Sequence, residues 1–338
     1  MEVYLTEDEK TQIKAVSKIA YDHSGGVKYL RDLKKHALSH ISERLLEILQ
    51  HQKTSLSPHP YIIFKNLQFD AEVSGVPQNY EDSKQFKSSY LSENILMLFS
   101  SLIGEPYSIA FEGADIVNNL IPFKEHESRY TGLGSKAELD FHIENAALRF
   151  SVNGDLSPKG LLLTGVRPEP LKNPKTMVSD ARAALKRLCD EDVRQLYGKN
   201  FIIRVPYRWR DTDKSISDNT ELVSLISGPI DNPSVNAVFY PGMILAVNDK
   251  ANQALDKLKQ AIKDVSIGIE ITPGTLVYID NRIALHARES FTSTYDANGL
   301  PNRWVQRVFI TDSLWSYRHL HSVKARVFDP TLKSECVA

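Results

Sequence analysis

The chain has 338 residues, 42% hydrophobic and 25% charged, with 41 basic against 42 acidic side chains and a net charge of −1. That balance builds a sizeable core without staples. It supplies no global field toward nucleic acid or an anionic membrane, so neither is expected as a partner. Two cysteines, Cys189 and Cys336, are too few and too far apart for a disulfide framework or a cysteine zinc site. The acidic, polar opening MEVYLTEDEKTQ has no signal-peptide pattern, and no apolar run reaches the roughly 18 residues of a membrane span. A cytoplasmic protein is expected.

The first elements read as helices. Thr6 and Glu9 match a capping box ahead of Ile13, Val16 and Ile19. Ser24-Gly25-Gly26 breaks that helix, and a second is predicted over Val27–Gln50, with Leu30, Leu33, Ala37, Ile41, Leu45 and Ile48 on one side. A short strand, Tyr61–Phe64, precedes a third helix predicted over Ser83–Leu102. From Tyr107 onward, short apolar runs recur between Gly, Pro, Asn and Asp, the pattern of a sandwich or barrel. Helices are predicted at Thr176–Cys189 and Lys250–Asp264. The polar connection Arg208–Thr220 reads as an exposed loop or a lid. No linker separates the helical part from the strands. The expectation is therefore one domain, residues 1–338, mainly β with flanking helices: a helical part of about 1–105 on a β-sandwich core of about 106–338.

The segment AELDFHIEN (137–145) alternates. Leu139, Phe141 and Ile143 are apolar, whereas Glu138, Asp140, His142 and Glu144 are polar. Period two makes it a strand, with the His142 imidazole beside the Glu144 carboxylate. Further on, Thr275–Ile279, the Asp280-Asn281 turn and Ile283–His286 form a hairpin that presents His286. Two histidines and one carboxylate with open positions suit Fe(II) and its co-substrates, and zinc is chemically admissible. Spacing alone leaves a plain polar face equally open. His36/His40 on a helix and His319/His321 near the C-terminus read as structural or exposed pairs.

The combination E-L-D-F-H-I-E-N-A, D-N-R-I-A-L-H-A-R and N-R-W-V-Q-R, in this order over Gly113–Asp312, resembles the clavaminate synthase-like Fe(II)/2-oxoglutarate dioxygenases. Within them it is most similar to the hydroxylases of free arginine, asparagine and lysine. The resemblance implies a double-stranded β-helix (jelly-roll) core, with His142, Glu144 and His286 as iron ligands and 2-oxoglutarate and O2 as co-substrates. It also implies that Arg303 grips the distal carboxylate of 2-oxoglutarate, helped by Thr176. Arg307 would meet the substrate α-carboxylate, and Asn118 and Glu144 the rest of its amino-acid end. Arg303 and Arg307 are four apart in a predicted strand, so both point to one face, where two guanidinium forks can each take a carboxylate. Thr176 also reads as a helix N-cap.

The implied reaction oxidatively decarboxylates 2-oxoglutarate to succinate and CO2 while hydroxylating an unactivated C–H bond. Arginine-hydroxylating relatives carry acids on a strand aligned with Asn236–Met243, and none occurs here. A lysine ammonium could instead be met by Asp211, Asp213, Asp231 or the Tyr240 hydroxyl, each of which also reads as an ordinary loop residue. L-Lysine hydroxylated at C3 or C4 is the first expectation, with arginine, asparagine or another polar amino acid next. A zinc hydrolase would want a second acid near the metal and leaves the paired arginines without a purpose. A non-catalytic jelly-roll binding protein is the third class. Halogenation needs the carboxylate vertex empty, and Glu144 fills it. A homo-oligomer stays open.

Overall fold

The computed structural model describes residues 1–69, 72–77, 82–124, 135, 138–151, 154–206, 209 and 218–333. Thr6 caps the first helix, α1 (Glu7–Lys14), as a full capping box, its hydroxyl accepting from Glu9 N while Glu9 accepts from Thr6 N. The helix predicted over Val27–Gln50 is two helices, α2 (Val27–His40) and α3 (Glu43–Thr54). Ile41 is extended, and Ser42 caps α3 by accepting from Leu45 N. The helix predicted from Ser83 begins later. Ser83–Gln85 is a single 3-10 turn, and α4 spans Leu91–Ile103. A second correction falls on Thr176–Cys189, where a strand covers Lys175–Asp180 and only α5 (Ala181–Leu185) is helical, capped by Asp180 rather than Thr176. Helix α6 (Asp190–Tyr197) follows, and α7 (Asp249–Asp264) agrees with its prediction. No helix among the described residues is long and apolar enough to cross a membrane.

The strands are β1 (Glu2–Tyr4), β2 (Tyr61–Lys65), β3 (Glu105–Ile109), β4 (Asn118–Leu120), β5 (Leu139–His142) and β6 (Gly160–Arg167). Next come β7 (Lys175–Asp180), β8 (Phe201–Ile203), β9 (Ile226–Ser227), β10 (Ser234–Val235) and β11 (Ile244–Ala246). The last are β12 (Ile267–Glu270), β13 (Leu276–Asp280), β14 (Ala284–Arg288), β15 (Trp304–Thr311), β16 (Leu320–Lys324) and β17 (Val327–Lys333). The large sheet runs β1-β2-β13-β6-β15-β3-β17-β16, with β4 also on β15, and a smaller sheet runs β12-β7-β14-β5. Most pairs are antiparallel, but β1 on β2 and β17 on β3 are parallel.

The middle of the large sheet is buried on both faces. One face, with Ile62, Phe64, Leu162, Tyr278, Val308 and Ile310, packs on the helices through Leu33, Leu45 and Phe99. The other, with Leu161, Leu163, Val277, Val305 and Phe309, packs toward the small sheet, which α5 and α7 cover through Ala184, Leu258 and Ile262. This explains why β15 is buried at every position, whereas the edge strand β12 is largely exposed. Gly165 in β6 allows a close approach, since a Cβ there would stand 2.4 Å from the Thr272 carbonyl carbon.

On the helical face a polar network is sealed in. Lys87 is ion-paired to Glu93, which also accepts from Ser83 and, at 2.7 Å, from Gln306 Nε2. Asn119 accepts from Gln306 Nε2 and Trp304 Nε1. Even-numbered residues of β15 thus face α4 and β4, and odd-numbered ones face the small sheet.

Candidate metal centre

The two sheets face each other across the residues singled out in the sequence. Strands β5 and β14 are antiparallel neighbours, with His142 directly opposite His286 in register. Their ring centroids are 4.2 Å apart. Strand β5 stops at His142, so Glu144 is not on the predicted strand but in the turn after it, just before Asn145 at φ 55°. The carboxylate still reaches the same place, with Glu144 Oε1 lying 3.6 Å from His286 Nε2. One ligand atom from each of His142, Glu144 and His286 lies within 4.8 Å of the others, and among the described residues no other His, Cys, Asp or Glu cluster could hold an ion.

The donor chemistry fits a divalent metal. His142 Nδ1 is 2.9 Å from the Asp140 carbonyl oxygen, which only accepts, so Nδ1 carries the proton and the Nε2 lone pair is left for a metal. Burial, then the neighbouring His286, pushes the His142 imidazole down to about 3, so it is neutral at physiological pH. Burial raises the Glu144 carboxyl, but Arg307, followed by the imidazoles, outweighs it and holds the group well below the ordinary carboxylate range. Two imidazoles and one carboxylate on one side, with no fourth protein donor among the described residues, form a facial set with open positions.

Two arginines enter from β15. Arg307 Nη1 donates to Glu144 Oε1 at 3.1 Å and Nη2 donates to Glu112 Oε2 at 2.7 Å, and its guanidinium stacks 4.2 Å from the Phe309 ring centroid. Arg303, just before the strand, is 6% exposed and lies over the Phe291 ring. Among the described residues its guanidinium has no hydrogen-bond or ion-pair partner. Burial, then the neighbouring Arg288, pushes Arg303 down to about 9, so it is still a cation at neutral pH. Arg288 lies over the same Phe291 ring. It ends the strand that carries His286, and its ladder partner on β7 is Thr176.

The remaining predicted residues divide. Asn118 is opposite Arg307 in register, and its Nδ2 donates to Ser108 Oγ at 2.7 Å while its buried Oδ1 has no partner among the described residues. The Tyr240 ring is 4.9 Å from that of His142. Asp231 lies elsewhere on the strands' connections. It is exposed in the turn between β9 and β10 and lines a surface cleft with Ser57, Asp180, Arg182 and Lys186. Asp211, Asp213 and most of the Arg208–Thr220 connection lie outside the described residues, as does Cys336. Three neighbours went unnoticed in the sequence: Glu112, Arg288 and Asn281. The last accepts from Glu144 N through Oδ1 at 2.7 Å.

Residues 86–309 match the family described as "Taurine catabolism dioxygenase TauD, TfdA family", and the chain belongs to that family. It is an oxidoreductase whose cofactor is iron and whose co-substrate is 2-oxoglutarate. Enduracididine beta-hydroxylase of Streptomyces hygroscopicus is 23% identical over 331 residues, 92% of this chain and 94% of that one. Two proteins of Catenulispora acidiphila are also similar. The L-ornithine/L-arginine 3-hydroxylase is 26% identical over 76% of this chain and 78% of its own. The L-lysine 3-hydroxylase is 25% identical over 68% and 62%. The fold is shared with asparagine oxygenase in complex with Fe(II), 3-hydroxyasparagine and succinate (TM-score 0.80, 19% identity, 97% of this chain and 99% of that one). It is equally shared with the non-heme iron oxygenase OrfP in complex with Fe and alpha-ketoglutaric acid (TM-score 0.79, 24% identity, 97% and 99%).

Proposed function

We propose that this protein hydroxylates an aliphatic carbon of a free L-amino acid, with L-lysine at C3 or C4 as its substrate. The observation that carries the reading is a buried arginine, Arg303, with no hydrogen-bond or ion-pair partner among the described residues, over the same Phe291 ring as Arg288 of the strand that carries His286. A buried guanidinium calls for an anion, and a dicarboxylate that chelates a metal through its keto-acid end offers its far carboxylate. Thr176, across the ladder from Arg288, would add a hydroxyl. His142, Glu144 and His286 would hold iron, which when bound supplies O2 activation coupled to decarboxylation of 2-oxoglutarate. We read the sheets as a double-stranded β-helix, and the whole chain as one unit, with β1 and β2 of the helical part joined to the large sheet.

For the amino-acid end, Arg307 would take the α-carboxylate. Glu112, Glu144 and the unpartnered Asn118 Oδ1 would accept from the α-ammonium. The substrate would thereby be fixed at one end, which sets the carbon presented to the metal. The rings of His142, Tyr240 and Phe309 would help exclude water. The absence of acids in 236–243 weighs against a guanidinium substrate and toward lysine. The relatives' names span several amino acids, lysine among them. No nucleic-acid or membrane partner is proposed, and localisation is read as cytoplasmic.

Anaerobic Fe(II) loading followed by succinate release with a panel of free amino acids tests this. Lysine is expected to give succinate together with a product heavier by one oxygen, whose NMR spectrum places the hydroxyl. Turnover on another amino acid but not lysine would replace the substrate. No iron uptake would remove the triad as its site.

A further inference from the structure

We infer that Asn281 is a positioning residue whose carboxamide fixes Glu144 relative to His286 and so sets the affinity of the triad for a divalent metal. The inference rests on reading His142, Glu144 and His286 as ligands. Glu144 is the one member of the three outside a strand: β5 ends two residues earlier, and Asn145 beyond it is left-handed at φ 55°. A ligand in a turn keeps its place only if something holds the turn.

Asn281 holds it. Its Oδ1 accepts from Glu144 N at 2.7 Å, and its Nδ2 donates to the carbonyl oxygens of Glu144 at 3.1 Å and Pro158 at 2.9 Å. The side chain gives Glu144 the reciprocal pair of bonds that a neighbouring strand would give. Both Nδ2 hydrogens are used, and the partners fix which end of the amide is oxygen.

The clamp is itself immobile. Asn281 is fully buried, and its own N–H donates to the Lys159 carbonyl at 2.9 Å. The turn is closed by Ile283 N on Asp280 O at 3.2 Å. Asp280, also fully buried, accepts from Arg282 Nε at 2.9 Å and Nη2 at 2.7 Å, from the Tyr278 hydroxyl at 3.2 Å and from Gln52 Nε2 at 3.3 Å. The same turn leads into β14 and delivers His286. One rigid β-turn therefore references two of the three ligands to each other. Arg307 pulls on the Glu144 carboxylate from the opposite sheet, and the Asn281 clamp keeps the Glu144 backbone from following that pull.

The probe is Co(II), titrated anaerobically into metal-free full-length protein and read by calorimetry and by its visible absorption. Asn281→Ala is expected to weaken Co(II) binding by about 10–100-fold, the usual effect of removing a partner that orients a ligand. Asn281→Asp keeps the acceptor for Glu144 N and loses both donors, so it serves if the alanine variant does not fold. It should weaken binding in the same direction. In a Glu144→Ala background the Asn281 substitution should change the Co(II) Kd by less than about 2-fold, because the residue it acts through is gone. A folded Asn281 variant with unchanged Kd and only a lower Tm would overturn the inference, as would an equal loss in the Glu144→Ala background. If wild type binds no Co(II), or His286→Ala binds it as well as wild type does, the ligand reading itself fails and the inference falls with it.

Discussion

Arg307 of the large sheet donates to Glu144 beside the small sheet at 3.1 Å, so the residue proposed for the substrate carboxylate also touches a proposed metal ligand. Glu112, on its other side at 2.7 Å, completes a bridge of two acids around one guanidinium. The two proposed tasks, holding substrate and holding metal, thus share one charged contact.

Arg307→Ala is therefore expected to lower kcat/KM for the amino acid by roughly 10–150-fold, the worth of about 1.5–3 kcal/mol for a hydrogen bond to a charged group. Metal affinity should shift at the same time, since Glu144 loses a partner. Steady-state kinetics together with a Co(II) titration check both. An effect on KM for 2-oxoglutarate alone would assign the residue elsewhere.

Arg303→Ala should act on the co-substrate. Its guanidinium is buried against Phe291 with no ion-pair partner among the described residues, Glu169 acting on it only at longer range, so the alanine variant loses the counter-charge for a carboxylate without breaking a protein ion pair. KM for 2-oxoglutarate is expected to rise by about 10–100-fold, the lower part of the range for lost charged contacts, with a smaller change in kcat. An unchanged KM would exclude Arg303 from the site.

The pH dependence has a definite sign. His142 is neutral in the fold down to about 3, against an ordinary value of 6.5, because of burial and then His286. Below 6.5 the unfolded chain takes up a proton that the folded one refuses, so stability falls as pH drops from 6.5 toward 3 and is unaffected above that window. Glu144, held below the ordinary 4.5, adds a loss in the same direction at lower pH. The Tm of metal-free protein should fall through this range. A His142→Gln variant should fall less steeply between 6.5 and 4.5.

Behind β15, Lys87 and Glu93 are an ion pair with side chains 0% and 2% exposed. Lys87→Met strands the carboxylate, and a loss of about 3–5 kcal/mol is expected in denaturant unfolding. Adding Glu93→Gln removes the stranded charge and should recover part of that loss. A double variant no more stable than the single would show that the charge itself is not the cost.

How much of this could be read from the chain depends on where the partners lie. Alternation, an H-x-E pair and a hairpin ending on His286 are local and nominate the triad, but they leave a plain polar face equally open until the resemblance is added. Glu144 was assigned to a strand because Ile143 continues the alternation, yet the ladder stops at His142. Asn281 was not legible. An Asp-Asn turn reads as backbone chemistry, and the group it clamps is 137 residues earlier. Glu112 is 195 residues from Arg307 and carries no periodic signal. Of the helices, Lys175–Asp180 was misread because Met177, Val178 and Ala181 fit a helical face as well as a strand, and only pairing with β12 and β14 decides. Helix α4 starts at Leu91, and Lys87 before it is ion-paired to Glu93 inside the helix's first turn.

The in-register pairing of His142 with His286 also bears on how the gene can change. Side chains alternate along a strand, so a one-residue insertion between Leu139 and His142 would turn the imidazole through the sheet. A two-residue insertion would restore its facing but displace it by about 6.6 Å along β5. Neither intermediate length keeps the pair opposed, so drift in length is shut out of these two strands. Changes of chain length that preserve the chemistry are channelled into the connections between strands, the places where a new substrate preference can arise without touching the pair.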